Sequence, residues 1–199
     1  VELAHGDDQI PNDLLDRLTH LSARLGDRVD DLVLLATLDE GRPARHQVVD
    51  LHGVLTVEAE SISPRIEIIG SESYVAGDGA LLARAVRNLL ANAVRHSRSS
   101  VRAEIAETAD TVTLHVDDDG PGVPPEHEAQ VFRRFGRVDT ARATSDGGSG
   151  LGLAIVDAVV RSHGGSVALG RSPAGGARFS LLLPRTSPDG GVPVSGDEK

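Results

Sequence analysis

From Pro11 to Asp39 apolar residues return at Leu14, Leu18, Leu21, Leu25, Leu32 and Leu35, in steps of four and three broken only at Arg28 and Val29. This heptad-like stripe predicts a long helix with a narrow apolar seam, which needs partner helices, as in a bundle, to cover it. Upstream, Val1 to His5 reads as the stub of an earlier helix, ended by Gly6 and a turn through Asp7 to Pro11. "EGRPARHQ", Glu40 to Gln47, reads as a linker, and beyond it the texture becomes α+β. Asp50 is placed to cap a helix running to about Glu60, and Arg65 to Ile69 and Ser73 to Ala76 read as short strands. Asp78 caps a second helix, Gly79 to His96, with Leu82, Val86, Leu89 and Ala93 on one face. Val101 to Ala106 and Thr111 to Val116 alternate like a hairpin. A glycine-rich stretch then enters a helix, Leu151 to Ser162, and Ser166 to Leu169 and Arg178 to Leu183 read as closing strands. The Pro-, Gly-, Ser- and Asp-rich tail after Pro184 reads as disordered. The expected division is 1–45 helical, 46–184 an α+β domain and 185–199 a tail.

Composition narrows the picture. The chain has 199 residues, 39% of them hydrophobic but only 2% aromatic, so aliphatic side chains must build the core. A net charge of −10 excludes a nucleic-acid partner held by a basic surface. The absence of cysteine removes disulfides and thiolate metal sites. No run of about 18 apolar residues is present, so no segment reads as membrane-spanning.

Three stretches carry candidate chemistry. In "NLLANAVRHS", Asn88, Asn92 and either Arg95 or His96 form a polar row beside the apolar face of their helix. Solvated amides bonded to local backbone are one reading of that row. An Mg²⁺–phosphate complex is the other, since an amide oxygen is a hard ligand and Mg²⁺ keeps substrate phosphates and waters as its remaining ligands. In "TLHVDDDGPGVP", period two carries the side of Val112, Leu114 and Val116 on to Asp118, while Asp117 and Asp119 face away. An inward carboxylate needs a donor. The exocyclic amino group of adenine is one, and Gly120 and Gly122 would let backbone pass close to a flat ring. A polar hairpin end is the plainer alternative; a calcium loop lacks its distant Glu. In "DGGSGLGLAIV", Gly147, Gly148, Gly150 and Gly152 lead into a helix whose first N–H groups form an anion site. The loop has neither the Lys-Ser/Thr of a Walker motif nor a strand–GxGxxG–helix order.

In this order and spacing, the stretches resemble the ATP-binding catalytic domain of sensor histidine kinases, within the wider gyrase, heat-shock chaperone, histidine kinase and MutL superfamily. "NLLANAVRHS" resembles the asparagine box, "DDDGPGVP" the first glycine box, "FRRFGR" (Phe132 to Arg137) the phenylalanine box and "GSGLGLAIV" the second glycine box. "HGGSVAL" and "GGARFSLLLP" are similar to the segments that close the domain. The likeness covers about Val49 to Pro184, and "RVDDLVLLATLDEGRP" looks like the second helix of the family's dimerisation and phosphotransfer domain. It implies an α+β fold, a two-layer α/β sandwich of the Bergerat type, preceded by a helix of a dimerisation hairpin.

Residue by residue, the resemblance implies that Asn92 is the Mg²⁺ ligand, that Asn88 supports the metal–phosphate cluster, and that Arg95 meets phosphate. It sets His96 near ribose or adenine, Asp118 on the adenine amino group, and Gly120 and Gly122 beside the base. Gly148, Gly150, Leu151 and Gly152 would meet the phosphates of ATP, and Phe132, Arg134 and Phe135 would shape a lid from about Val131 to Ser149. Hydrolytic branches of the superfamily carry a Glu as general base where this chain has Asn88, and an amide cannot take up a proton from water. Transfer to a side chain is therefore expected over hydrolysis, with an anti-sigma-type binding module as the further alternative. The family's acceptor His, followed by an acidic residue and Arg-Thr-Pro, has no match at His5, His20 or His127-Glu128. The chain is accordingly expected to be part of a longer kinase. That kinase would be a homodimer with a response regulator as partner, its cytoplasmic catalytic region anchored to the membrane through segments elsewhere.

Overall fold

The computed structural model describes residues 12–40, 47–136 and 149–189. Helix α1 (Asn12–Asp39) comes first, then strand β1 (Gln47–Asp50), helix α2 (Leu51–Ile62), strands β2 (Ile66–Ile69) and β3 (Tyr74–Gly77), and helix α3 (Gly79–His96). Strands β4 (Val101–Glu107) and β5 (Thr111–Asp118) form the hairpin. Helix α4 (Gly152–Ser162), β6 (Ser166–Arg171) and β7 (Ala177–Pro184) complete the order. Five strands make one sheet in the order β2-β4-β5-β7-β6, with β2 parallel to β4 and the other pairs antiparallel.

Alternation along the strands sends Val101, Ala103 and Ile105, Val112, Leu114 and Val116, and Phe179, Leu181 and Leu183 into one aliphatic core with α2, α3 and α4. Into that core α3 buries Leu82, Val86, Leu89 and Ala93, and α4 buries Ile155, Val156 and Val159. The two-layer α+β architecture expected from the sequence is what forms. Both caps act locally: Asp50 accepts from His52 N, and Asp78 accepts from Ala80 N and Leu81 N. The buried His163 ties the end of α4 to the start of α3: its Nε2 accepts from Asp78 N at 2.9 Å and its Nδ1 donates to Val159 O at 2.7 Å.

The structure departs from the sequence reading at several places. Gln47, assigned to the linker, opens β1, which pairs antiparallel with β3 through Val48↔Ala76 and Val49↔Val75; the rest of the linker, 41–46, lies outside the described residues. Strand β5 runs on through Asp117 and Asp118 because each carboxylate finds donors there. Past Pro184 the chain stays paired, with Arg185 N donating to Asp110 O and Thr186 N to Tyr74 O. The stub Val1 to His5 and the tail 190–199 lie outside the described residues.

The leucine stripe of α1 divides. Leu35 is buried and Leu34 and Leu38 pack against the core, where α1 meets α4. Two ion pairs flank that contact: Asp31 with Arg84 at 2.6 Å, and Asp39 with Arg134. Leu21, Leu25 and Leu32 stay exposed, and the side chains of Leu14 and Leu18 lie outside the described residues.

Candidate functional site

Two clusters of unused hydrogen-bonding capacity lie along α3, one beside Asn88 in its middle and one beyond its C-terminal end. The first is where α4 begins. Its N-terminal neighbour Leu151 supplies no side-chain cap, so the first N–H groups of α4 have no partner within the helix. Gly152 faces Asn88: a Cβ there would lie 3.6 Å from Asn88 Oδ1. Asn88 Nδ2 is buried and has no hydrogen-bond partner among the described residues. An orphaned amide donor beside an uncapped helix start is an arrangement that favours an anion. Asn92 follows one turn on, half-buried, and Arg95 is exposed in the last turn.

The second cluster surrounds Asp118, at the inner end of β5. Its carboxylate is buried, and Oδ1 accepts from Gly120 N at 2.8 Å and Ala177 N at 3.1 Å. Among the described residues no protein donor reaches Oδ2. Glycines wall this carboxylate because nothing larger fits: a Cβ on Gly176 would overlap Asp118 Oδ1 and Gly120 N, and one on Gly120 would overlap the His96 carbonyl. Gly122 has φ +74° and lies against Gly176, so it too must remain glycine. Desolvation pushes the His96 imidazole below the ordinary histidine value, Arg95 adds to that, and Asp118 opposes both.

The neighbours of Asp118 are occupied elsewhere. Asp117 grips Arg178 through two bonds of 2.8 and 2.6 Å on the other face of the sheet. Asp119 accepts from Arg98 N, Ser99 N, Ser99 Oγ and Ser100 N, bonds that hold it well below the usual carboxylate range, the Ser99 hydroxyl foremost.

The phenylalanine segment divides its work. Phe132 is half-buried and meets Phe179 edge-on, centroids 6.1 Å apart, as part of the core. Arg134 bonds Asp39 of α1 rather than turning toward Asp118 or Asn88. Phe135 is exposed with φ +61°, and its N–H donates to Gly150 O at 2.9 Å. The structure therefore joins Asn88 to Gly152, His96 to Gly120 and Asp118, and Phe135 to Gly150. Gly148 and the lid residues 137–148 lie outside the described residues. His20 lies on α1 and His127 ends a 3₁₀ turn (Pro125–His127). Sequence reasoning missed Gly176 and Ala177, whose signal was the glycine pair ahead of "ARF".

Residues 77–187 match the family described as histidine kinase-, DNA gyrase B- and HSP90-like ATPases. The chain belongs to that family. Among the curated relatives of this ATPase-family chain, the probable sensor histidine kinase TcrY of Mycobacterium tuberculosis is 37% identical over 85% of the chain and 38% of its own length. The chain thus spans about two fifths of such relatives. Of solved structures, the mycobacterial sensor histidine kinase MprB matches with a TM-score of 0.63 and 33% identity, over 70% of this chain and 98% of that one. Full-length ShkA in complex with AMPPNP matches with a TM-score of 0.75 and 29% identity, over 87% of this chain and 38% of that one. No helix among the described residues is long and apolar enough to cross a membrane.

Proposed function

We propose that this chain is the nucleotide-binding core of a sensor histidine kinase, binding ATP with Mg²⁺ and delivering the γ-phosphoryl group to a histidine on a helical phosphotransfer domain. The observation that carries the reading is the free Oδ2 of buried Asp118 in a slot walled by Gly120, Gly122 and Gly176. An adenine amino group fits that acceptor, and the glycine backbone leaves room for the ring. At the other end, the Asn88 amide and the start of α4 match the charge of a polyphosphate.

Arg95 and the N–H groups of Gly150, Leu151 and Gly152 would hold phosphate oxygens, and the Asn92 amide oxygen would hold Mg²⁺. When bound, that ion offsets charge on the transferring group. Asn88 has no basic lone pair with which to activate water, so ATP waits for a side-chain acceptor. His96, whose imidazole desolvation and Arg95 pull below the ordinary histidine value, would border the base. Phe132, Arg134 and Phe135 are assigned to a lid over the nucleotide and Gly148 to the phosphate loop on the resemblance, Phe135 alone of them touching the loop at Gly150.

The reading divides the chain into a helical region to about residue 45 and a nucleotide-binding domain from 46, whose pairing runs past 184 through Arg185 and Thr186. The exposed part of the α1 stripe fits a second copy of the chain in a homodimeric bundle. A response-regulator aspartate would accept the phosphoryl group from histidine, and the kinase region would work in the cytoplasm beneath a membrane-anchored sensor. Incubation with γ-labelled ATP, Mg²⁺ and a separately supplied histidine-bearing helical domain tests the proposal. Label on that domain supports it, whereas release of free phosphate, or a tight protein complex without label, overturns it.

A further inference from the structure

We infer that Asp119 is a positioning residue for the adenine end of the site, strapping the end of α3 to the end of β5. The inference rests on the nucleotide reading above and concerns a residue that the reading leaves unused. Residues 98–100 directly follow Ser97, the C-cap of α3, and so stand just beyond Arg95 and His96. Asp119 gathers that turn with one carboxylate: Arg98 N at 2.7 Å, Ser99 N at 3.1 Å, Ser100 N at 3.2 Å and the Ser99 hydroxyl. On its other side stands Gly120, whose N–H holds Asp118 Oδ1 and whose Cα abuts the His96 carbonyl.

The two contacts are mechanically linked. If the turn at 98–100 drifts away, the His96 carbonyl and Gly120 separate, and the N–H that orients Asp118 moves with Gly120. Aliphatic packing reaches only Val94 on α3 and Val116 on β5, and the sheet holds Asp118 but not the turn after α3, so the Asp119 strap sets where the His96 end stands relative to Asp118. Sequence logic agrees with the geometry. Only a residue with two acceptor oxygens can serve three backbone donors and a hydroxyl at once, and Asp has the shortest stem that does so.

A mere loop clamp would matter for stability and affect all ligands alike. A positioning residue for the base acts on ligands that carry the base. The test uses the full chain and calorimetry with two probes, Mg²⁺–ADP and Mg²⁺–tripolyphosphate, on wild type, Asp119→Ala, Asp119→Asn and Ser99→Ala. The expected result for Asp119→Ala is a loss of about tenfold or more for ADP and less than about threefold for tripolyphosphate. Asp119→Asn keeps one oxygen acceptor for the turn but sets an amide N–H₂ against a backbone donor, so its ADP affinity should fall between those of Asp119→Ala and wild type. Ser99→Ala removes one bond and should weaken ADP by about threefold; this variant decides the matter if Asp119→Ala does not fold. ADP affinity unchanged in the Asp119→Ala or Ser99→Ala variants, or equal losses for both probes, overturns the inference while leaving the nucleotide reading intact. A folded wild-type chain that binds no ADP overturns both.

Discussion

In the proposed reading, Asp118 is the residue on which recognition of a purine turns. Asp118→Asn keeps an oxygen for Gly120 N and Ala177 N but turns an amide N–H₂ toward the place of Oδ2, so that two donors would face each other. The expected outcome is a loss of roughly 1–3 kcal/mol in ADP affinity, read by calorimetry with little change in the unfolding midpoint. Undiminished affinity would remove Asp118 from the site. Two histidines contribute to the acid response of the fold. Desolvation lowers the pKa of His96 and His115, assisted by Arg95 and Arg178 respectively. The folded chain therefore binds fewer protons than the unfolded one below about pH 6.5, and stability falls as the pH drops through that value. Replacing both by Asn should flatten the slope of urea-unfolding free energy between about pH 5 and 7; an unaltered slope would assign the acid response to other groups. The inward aim of Asp118 was readable because period two needs only its own strand. The role of Gly176 was not, because it depends on β7 lying beside β5, far away in sequence.

At the scale of elements, α1 is two half-helices in function. Its last turns belong to the α+β domain through Leu35, whereas Leu21, Leu25 and Leu32 before them are exposed to solvent. Leu35→Ala should cost about 2–5 kcal/mol in denaturant unfolding, since it opens a cavity where α1 meets α4. Leu25→Ala at the exposed end should change the monomer by less than about 0.5 kcal/mol. Equal costs would mean that the stripe is covered along its whole length. The exposed Asp39–Arg134 pair is expected to add little beside that packing. The heptad spacing foretold the helix but not where it divides, because docking is decided by Arg84 and by α4, neither encoded in the stripe. The caps at Asp50 and Asp78 were readable because they act within three residues of themselves. Strand β1 went unseen for the opposite reason: four residues beside a linker gain their strand character from β3 alone.

For the whole molecule, the sheet is helix-covered on one face and polar on the other. On the open face Glu104, His115 and Ser180 stand in register, with His115 Nδ1 2.8 Å from Ser180 Oγ. The site belongs to neither face but to the rim where β5, the start of α4 and the end of α3 converge. A ligand there would add a further tie between elements that already pack together in the aliphatic core. Mg²⁺–ADP at 100 times its dissociation constant should stabilise the chain by about 2.7 kcal/mol, seen as a rise in Tm that GDP at the same concentration does not give. A Tm insensitive to ADP would contradict a site at this rim. The order of the chemical stretches was legible from the sequence because each is local; their convergence was not, because a mixed sheet made it.

The three consecutive aspartates make β5 intolerant of slippage. Asp117 looks to Arg178, Asp118 to the slot and Asp119 to the turn after α3, so the strand reads a three-letter address in which every position has one meaning. Deleting a single residue within β5 would leave a strand able to pair, yet would send the wrong carboxylate to each destination. Length in this hairpin is thus fixed by the three carboxylates together with the aliphatic interior, whose Val112, Leu114 and Val116 the same deletion would turn outward, and natural variation there should take the form of substitutions and not of insertions or deletions.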